Sequence, residues 1–294
     1  VAYAERDGVK LYFEDTGEGL PILFLHEYGG DHRSWEPQVR YFSHWHRCIV
    51  TAARGYPPSD VPDDAALYGQ DHAINDALAV MDHLRLGKVI VIGLSMGGYT
   101  ALRLALQVPD RITAIVAASG GSGSYPAHRD VFQAEAEKLA VEILNHGRMP
   151  ADAFAMGPTR TQLKRKDPRG WAEFRDHLAE HPAVGAAHTL SNVQAKRPSL
   201  YDFEDQLSAC RVPTLLMVGD EDEACLDANV WLKRTMPTAG LDIAPKSGHL
   251  LNLEDPARFN ETISSFLSTV NAGAWEVRPA QTGSFGGVGP AGEE

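Results

Sequence analysis

One stretch of the chain, Gly93-Leu94-Ser95-Met96-Gly97, sets a single hydroxyl among small residues. Gly-x-Ser-x-Gly is the spacing of a nucleophile elbow, a sharp strand-to-helix turn that presents a serine for attack. A turn that tight brings backbone segments together, and flanking side chains would collide. Gly93 and Gly97 remove that obstacle, and Gly98 and Ala101 let the next helix approach the sheet. A βα turn that only favours small residues has the same pattern, so the pentapeptide needs partners. A serine hydroxyl is a poor nucleophile until a base takes its proton, and the base needs a third group to orient it. Among twelve histidines, His249 in Ser247-Gly248-His249-Leu250 lies between the last strand and the last helix, and is the base candidate. His26 leads a glycine-bearing loop and is read as structural, while His72 and His188 fall inside expected helices. The acid is sought in Asp220-Glu221-Asp222-Glu223, after the strand Pro213–Gly219, where most of the four are expected to be solvated. A developing oxyanion needs two preorganised backbone donors. The amides of Met96 and of Tyr28, in His26-Glu27-Tyr28-Gly29-Gly30, are the candidates.

These groups need a scaffold that brings strand ends together. Val1–Arg6 and Val9–Glu14 flank Asp7-Gly8, a two-residue hairpin signal. Pro21–Leu25, His46–Ala52, Val89–Ile92 and Arg111–Ser119 read as buried strands. Asp71 is placed to cap a helix with the stripe Ile74, Ala77, Leu78, Met81 and Leu84, closed by Gly87, and Tyr99–Gln107 predicts another. This alternation predicts an α/β fold, a mainly parallel, doubly wound sheet with helices on both faces. From Gly120 the rhythm stops, and about 80 residues carry helical patterns alone: Asp130–Asn145 ending at Gly147, a helix capped by Asp167 with Pro168 first, and Pro182–Gln194. Strands resume at Pro213–Gly219 and Leu241–Pro245, and Pro256–Val270 is the last helix. The organisation expected is therefore a core over 1–120 and 206–270, a helical cap inserted over 121–205, and a Gly/Pro-rich tail over 271–294. Composition marks the tail as disordered, with Trp275 and Phe285 as its only candidate anchors.

The chain has 294 residues, enough for one large core with an insertion. A net charge of −12 argues against nucleic acid and anionic membranes as partners, and no apolar run approaches the roughly 18 residues of a membrane span. Cys48, Cys210 and Cys225 are too few and too scattered for a disulfide framework or a zinc site, which fits a reducing, cytoplasmic compartment. Cys225 is expected to be a buried thiol and not a second nucleophile. A homo-oligomer is left open.

In order and spacing, the His26 loop ending at Trp35, Arg54-Gly55-Tyr56 after the next strand, the elbow, Val108-Pro109-Asp110-Arg111-Ile112, Gly219-Asp220-Glu221-Asp222 and the segment from Ser247 to Pro256 resemble the capped branch of the α/β-hydrolase superfamily. The resemblance implies a Ser95–Asp222–His249 triad, with the acid at Asp222 and not Asp220. It argues against the dehalogenases and epoxide hydrolases of the superfamily, which carry an aspartate where Ser95 stands. The loop departs from the usual His-Gly start: here it is His26-Glu27, which implies a shifted oxyanion loop.

The activity expected is cleavage of a small carboxylic ester or lactone through an acyl-enzyme, with no metal and no cofactor. A carbon–carbon bond hydrolase of ring-cleavage diketones, a perhydrolase, a cofactor-free oxygenase and a non-catalytic ligand receptor share the same logic. Tyr28, Met96, Trp171 and Phe174 are candidates for the pocket wall, with cap core as the alternative for the last two. Lys164-Arg165-Lys166 is read as solvated lid surface before a recruiter of anions. Glu27 is expected to stay out of the chemistry, turned away toward a basic partner or solvent, because a negative charge near an oxyanion raises the barrier.

Overall fold

The computed structural model describes residues 2–279. Strands β1 (Ala2–Arg6), β2 (Val9–Thr16), β3 (Leu20–Leu25), β4 (His46–Thr51), β5 (Val89–Leu94), β6 (Ile112–Ala118), β7 (Thr214–Gly219) and β8 (Ala239–Ala244) form one sheet. Its order is β1-β2-β4-β3-β5-β6-β7-β8. The β1–β2 hairpin turns on Asp7 and Gly8 at φ 54° and 74°, the positive values a type I′ turn requires. β2 pairs antiparallel with β1 and β4, and all pairings from β4 to β8 are parallel. β5 and β7 are buried along their whole length, which is why they appear as unbroken apolar runs.

In chain order the helices are α1 (Glu36–Phe42), α2 (Gln70–His83), α3 (Met96–Gln107), α4 (Arg129–His146), α5 (Ala151–Ala155), α6 (Thr161–Lys166), α7 (Pro168–Ala179), α8 (Ala183–His188), α9 (Glu204–Ala209), α10 (Glu223–Thr235), α11 (Leu251–Glu254) and α12 (Pro256–Asn271). Alternate strand residues feed two cores. Ile22, Phe24, Ile90 and Ile92 pack with Phe42 of α1 and Phe259 of α12, while Leu23, Leu25 and Val91 pack with Ile74 of α2 and Leu102 of α3. The segment between β6 and β7 contains helices and no strand among the described residues. Gly147 ends α4 at φ 66°, and Asp167 caps α7 by accepting the Gly170 N–H at 2.9 Å.

Three expectations are corrected. α3 starts at Met96 and not Tyr99: Gly97, read as a turn residue, is already helical, and with Gly98 it lets the first turn lie against β3 and β6. Asp71 is not the cap of α2; Gly69 holds that position without a side-chain bond, and Asp71 contributes charge to the first turn. The disorder expected from composition does not begin at Asn271, and Trp275, one of the two candidate anchors, holds the chain there. Trp275 donates its indole N–H to Thr238 O at 2.8 Å and meets the Phe266 ring edge-on at 4.7 Å, and the Arg278 amide bonds to Pro237 O at 2.8 Å. Val1 and Phe285 lie outside the described residues. No described helix is long and apolar enough to cross a membrane.

Candidate active site

Ser95 stands between β5 and α3 at φ 54° and ψ −108°, with its amide held by Ala118 O at 2.7 Å. Only close approach of three backbone segments permits this turn. A Cβ on Gly93 would overlap the Gly97 carbonyl, and one on Gly97 would overlap the Leu25 carbonyl. Met96 opens α3, so its amide belongs to the first turn, whose N–H groups have no intrahelical partner.

β7 and β8 deliver the other two groups. Asp222 follows β7 and is fully buried, and its Oδ2 lies 2.8 Å from His249 Nδ1. Burial alone would raise the Asp222 pKa, but the His249 imidazole, with help from Cys225 and Ser119, holds it below the usual carboxylate value. Ser95 and His249 each keep 5% exposure. The neighbouring acids do other work. Asp220 is exposed and accepts the Ser247 N–H at 3.2 Å, while Glu221 receives Gln162 at 2.8 Å and Arg165 at 2.6 Å from the cap. The elbow and the acid loop meet through β6: Ala118 O holds the Ser95 amide, and Ser119 O accepts the Cys225 thiol at 3.1 Å. Cys225 Sγ lies 4.0 Å from His249 Nδ1, and burial, with the Asp222 charge, pushes its thiol pKa well up.

The His249 loop is pinned by a residue that carried no sequence signal, Glu254. Its buried carboxylate accepts the N–H of Gly248 at 2.9 Å and of Leu250 at 3.1 Å, bracketing the histidine, and Lys166 lies 3.3 Å from it. From the cap, Thr159 O accepts the His249 amide at 2.8 Å.

The loop after β3 carries Tyr28, which is buried; its ring meets Phe154 of α5 edge-on at 5.6 Å, and its hydroxyl lies 3.6 Å from Met149 Sδ. His26 bridges the loop to the next strand end: Nδ1 contacts Glu27 O at 2.8 Å, and Nε2 accepts the Ala53 N–H at 3.0 Å. Burial drops its pKa to about 4, so it stays neutral. Glu27 is completely buried and does not reach solvent. Its carboxyl folds back over Gly30, where it takes the space a Cβ would need. Burial raises its pKa to about 7, against the pull of Arg160 and Ser34. The basic neighbour expected for Glu27 is thus Arg160 of the cap, but neither Glu27 carboxylate oxygen has a hydrogen-bond partner among the described residues.

Trp171 and Phe174 are buried in the cap, where the Trp171 N–H donates to Ala155 O at 2.8 Å and Lys164 covers the indole at 4.4 Å. Phe154, not singled out in the sequence, is the cap aromatic that meets Tyr28. Lys164-Arg165-Lys166 is engaged: beyond the Trp171, Glu221 and Glu254 contacts, Lys166 donates to Ser247 Oγ at 2.7 Å. Arg160 was also missed, because Gly157-Pro158-Thr159-Arg160 has the signature of a turn and nothing local says which loop it covers.

The sequence model of the family described as alpha/beta hydrolase fold matches residues 21–256. A 3-oxoadipate enol-lactonase of Acinetobacter baylyi is 27% identical over 276 residues, covering 92% of this chain and 97% of its own. A 2-hydroxy-6-oxononadienedioate/2-hydroxy-6-oxononatrienedioate hydrolase of Burkholderia vietnamiensis is 26% identical, covering 89% and 93%. Among solved structures, a thermophilic esterase from Thermogutta terrifontis with malate bound superposes with a TM-score of 0.81 at 27% identity, covering 92% of this chain and 98% of that one. With the eight-stranded sheet, the elbow at Ser95 and this match over most of its length, the chain belongs to the α/β-hydrolase fold family and is an enzyme of that superfamily.

Proposed function

We propose that this enzyme is a serine hydrolase that opens a small carboxylic ester or lactone through an acyl-enzyme. The observation that carries the reading is the buried Asp222–His249 pair at 2.8 Å, which occupies Nδ1 and leaves Nε2 to serve the Ser95 hydroxyl. In the proposed cycle Ser95 Oγ attacks the substrate carbonyl while His249 Nε2 takes its proton. Asp222 orients the ring and stabilises the imidazolium. The amides of Met96 and Tyr28 hold the tetrahedral oxyanion. The imidazolium then protonates the leaving alkoxide, and a water activated by the same nitrogen releases the acid and restores Ser95. These steps need only protein groups and water. Tyr28 walls the pocket, with Trp171 and Phe174 supporting that wall from within the cap. Three unpaired, buried cysteines support a cytoplasmic site of action.

The relative named for a ring-cleavage product supports carbon–carbon bond hydrolysis as the second reading. The deciding experiment is turnover of short acyl esters, lactones and vinylogous diketones by the purified protein and its Ser95→Ala variant. Ester or lactone turnover that falls by roughly 10⁶-fold in the variant is expected. A variant retaining more than a few per cent of the rate overturns Ser95 as nucleophile, and turnover confined to diketones moves the assignment to the second reading.

A further inference from the structure

Two buried arginines in this protein reach acceptors. Arg54 makes a two-point pair with Asp76 at 2.9 and 2.6 Å, and Arg197 donates to Ser122 O at 2.7 Å. Two others have an Nε with no hydrogen-bond partner among the described residues: Arg103, whose guanidinium covers the Phe203 ring at 4.1 Å, and the half-buried Arg160. An unpaired guanidinium N–H is expensive to bury, so Arg160, the one of the two whose neighbours belong to the loops of the candidate site, asks for a ligand.

Its place is fixed from several sides. The preceding residue, Thr159, accepts the His249 amide at 2.8 Å, and two residues on, Gln162 donates to Glu221 beside the acid Asp222 at 2.8 Å. The guanidinium lies 4.2 Å over the Phe154 ring. That ring meets Tyr28 at 5.6 Å, and its edge would lie 2.7 Å from a Cβ on Gly29. Arg160 is therefore set between the histidine loop and the oxyanion loop. Its electrostatics agree: burial lowers its pKa, and the acids that oppose this most are Glu27 and then Asp222.

We infer that Arg160 is the anchor for a carboxylate carried by the substrate, so that this active site takes anionic esters or lactones. The inference rests on the hydrolase reading given above. A planar guanidinium matches a carboxylate through two parallel N–H···O bonds, and a stacked ring beneath it holds the fork in plane. A monoanion suits the site better than a phosphate dianion, because one arginine must offset the ligand while the buried acids Glu27 and Asp222 stand nearby. Glu27 cannot be that ligand already, since its oxygens fold over Gly30 and make no hydrogen bond to Arg160. Lys164, Arg165 and Lys166 are the more obvious cations in the sequence, and each is already engaged.

The test compares p-nitrophenyl hemiglutarate with p-nitrophenyl hexanoate, chains of similar length with and without a terminal charge. The wild-type protein is expected to favour the hemiglutarate in kcat/KM by tenfold or more. Arg160→Gln is expected to erase that preference, mainly through KM, and Arg160→Lys to restore only part of it. No preference in the wild type, or an unchanged ratio in Arg160→Gln, overturns the inference. Calorimetric titration of Ser95→Ala with monomethyl glutarate, a monoanion, separates it from the hydrolase reading. Saturable binding lost in the Ser95→Ala/Arg160→Gln double variant supports Arg160 even if neither ester is turned over, and binding absent from Ser95→Ala or equal in both proteins overturns it. Should Arg160→Gln fail to fold, the wild-type preference and the Arg160→Lys ratio decide.

Discussion

Ser95 holds a backbone angle, φ 54°, that side-chain-bearing residues rarely adopt, and the surrounding glycines exist to let it do so. Asp222 and Asp220 stand two positions apart with opposite fates, one fully buried on His249 Nδ1 and one exposed on the Ser247 amide. Asp222→Asn should therefore lower kcat by roughly 10⁴-fold, the cost of a wrongly held imidazole. Asp220→Asn should stay within a few-fold of the parent; equal losses in steady-state assays would contradict the assignment. Glu27 makes a second prediction at this scale. Its pKa is about 7 in the fold against an ordinary 4.5, because burial disfavours its charge. A carboxyl raised on folding contributes stability that is complete below the unfolded pKa and is lost as pH rises through the folded one. Relative to Glu27→Gln, the wild-type protein should thus lose stability between pH 4.5 and about 7, by roughly 3 kcal/mol in total. Urea melts of both proteins at either end of that window measure it, and a constant difference would mean that Glu27 is charged throughout. The Gln variant should also keep most of its activity; a fall beyond about 10²-fold would show the carboxyl in use.

At the scale of elements, each proposed catalytic group follows a parallel strand, and each of their loops is tied down by something distant in sequence. The loop after β8 is held from afar by Thr159 O on the His249 amide, and locally by α11, whose last residue, Glu254, binds the amides on both sides of His249. Burial raises the Glu254 pKa, and those amides with Lys166 pull it back. Glu254→Ala would strand two buried N–H groups, so a loss of roughly 3 kcal/mol is expected, with a fall in kcat as His249 loosens. Glu254→Gln keeps an acceptor oxygen and should recover part of both. Thermal melts paired with ester assays check this, and a loss below about 1 kcal/mol in the Ala variant would show the loop to be held otherwise. The pair Glu221–Arg165 is different in kind: both side chains are substantially exposed, so it adds little to stability.

Across the whole molecule, the helical segment between β6 and β7 bonds to the loops after β7 and β8, and the end of the described chain returns to the sheet edge. Trp275 lies across Gly240 of β8, where a Cβ would come within 2.7 Å of the indole, and packs on Phe266 of α12. Trp275→Ala removes that half-buried ring and the bond to Thr238 O, at an expected cost of about 2 kcal/mol. In a protein of this size that lowers Tm by several degrees, read by calorimetry. An unchanged Tm would show that the segment after α12 adds nothing to the fold.

The parallel core, the hairpin at Asp7-Gly8, the helical interruption after Gly120 and the elbow at Ser95 were legible from the residues alone. Each of these is written in local terms: apolar period, capping residue, or glycine where backbone meets backbone. The sequence marked His249 by its place after a strand, whereas Asp222 was singled out from three other acids only through family resemblance. Local signals misplaced the start of α3, because the packing of Gly97 against β3 overrode its turn character, and the cap of α2, which Gly69 holds without a side-chain bond. The burial of Glu27 against Gly30, the framing of His249 by Glu254 and the place of Arg160 beside the loops of the candidate site emerge only from the folded chain. Those facts depend on where the cap settles on the core. That position is set by contacts between segments far apart in the chain, such as Thr159 with His249 and Gln162 with Glu221, which no local spacing encodes.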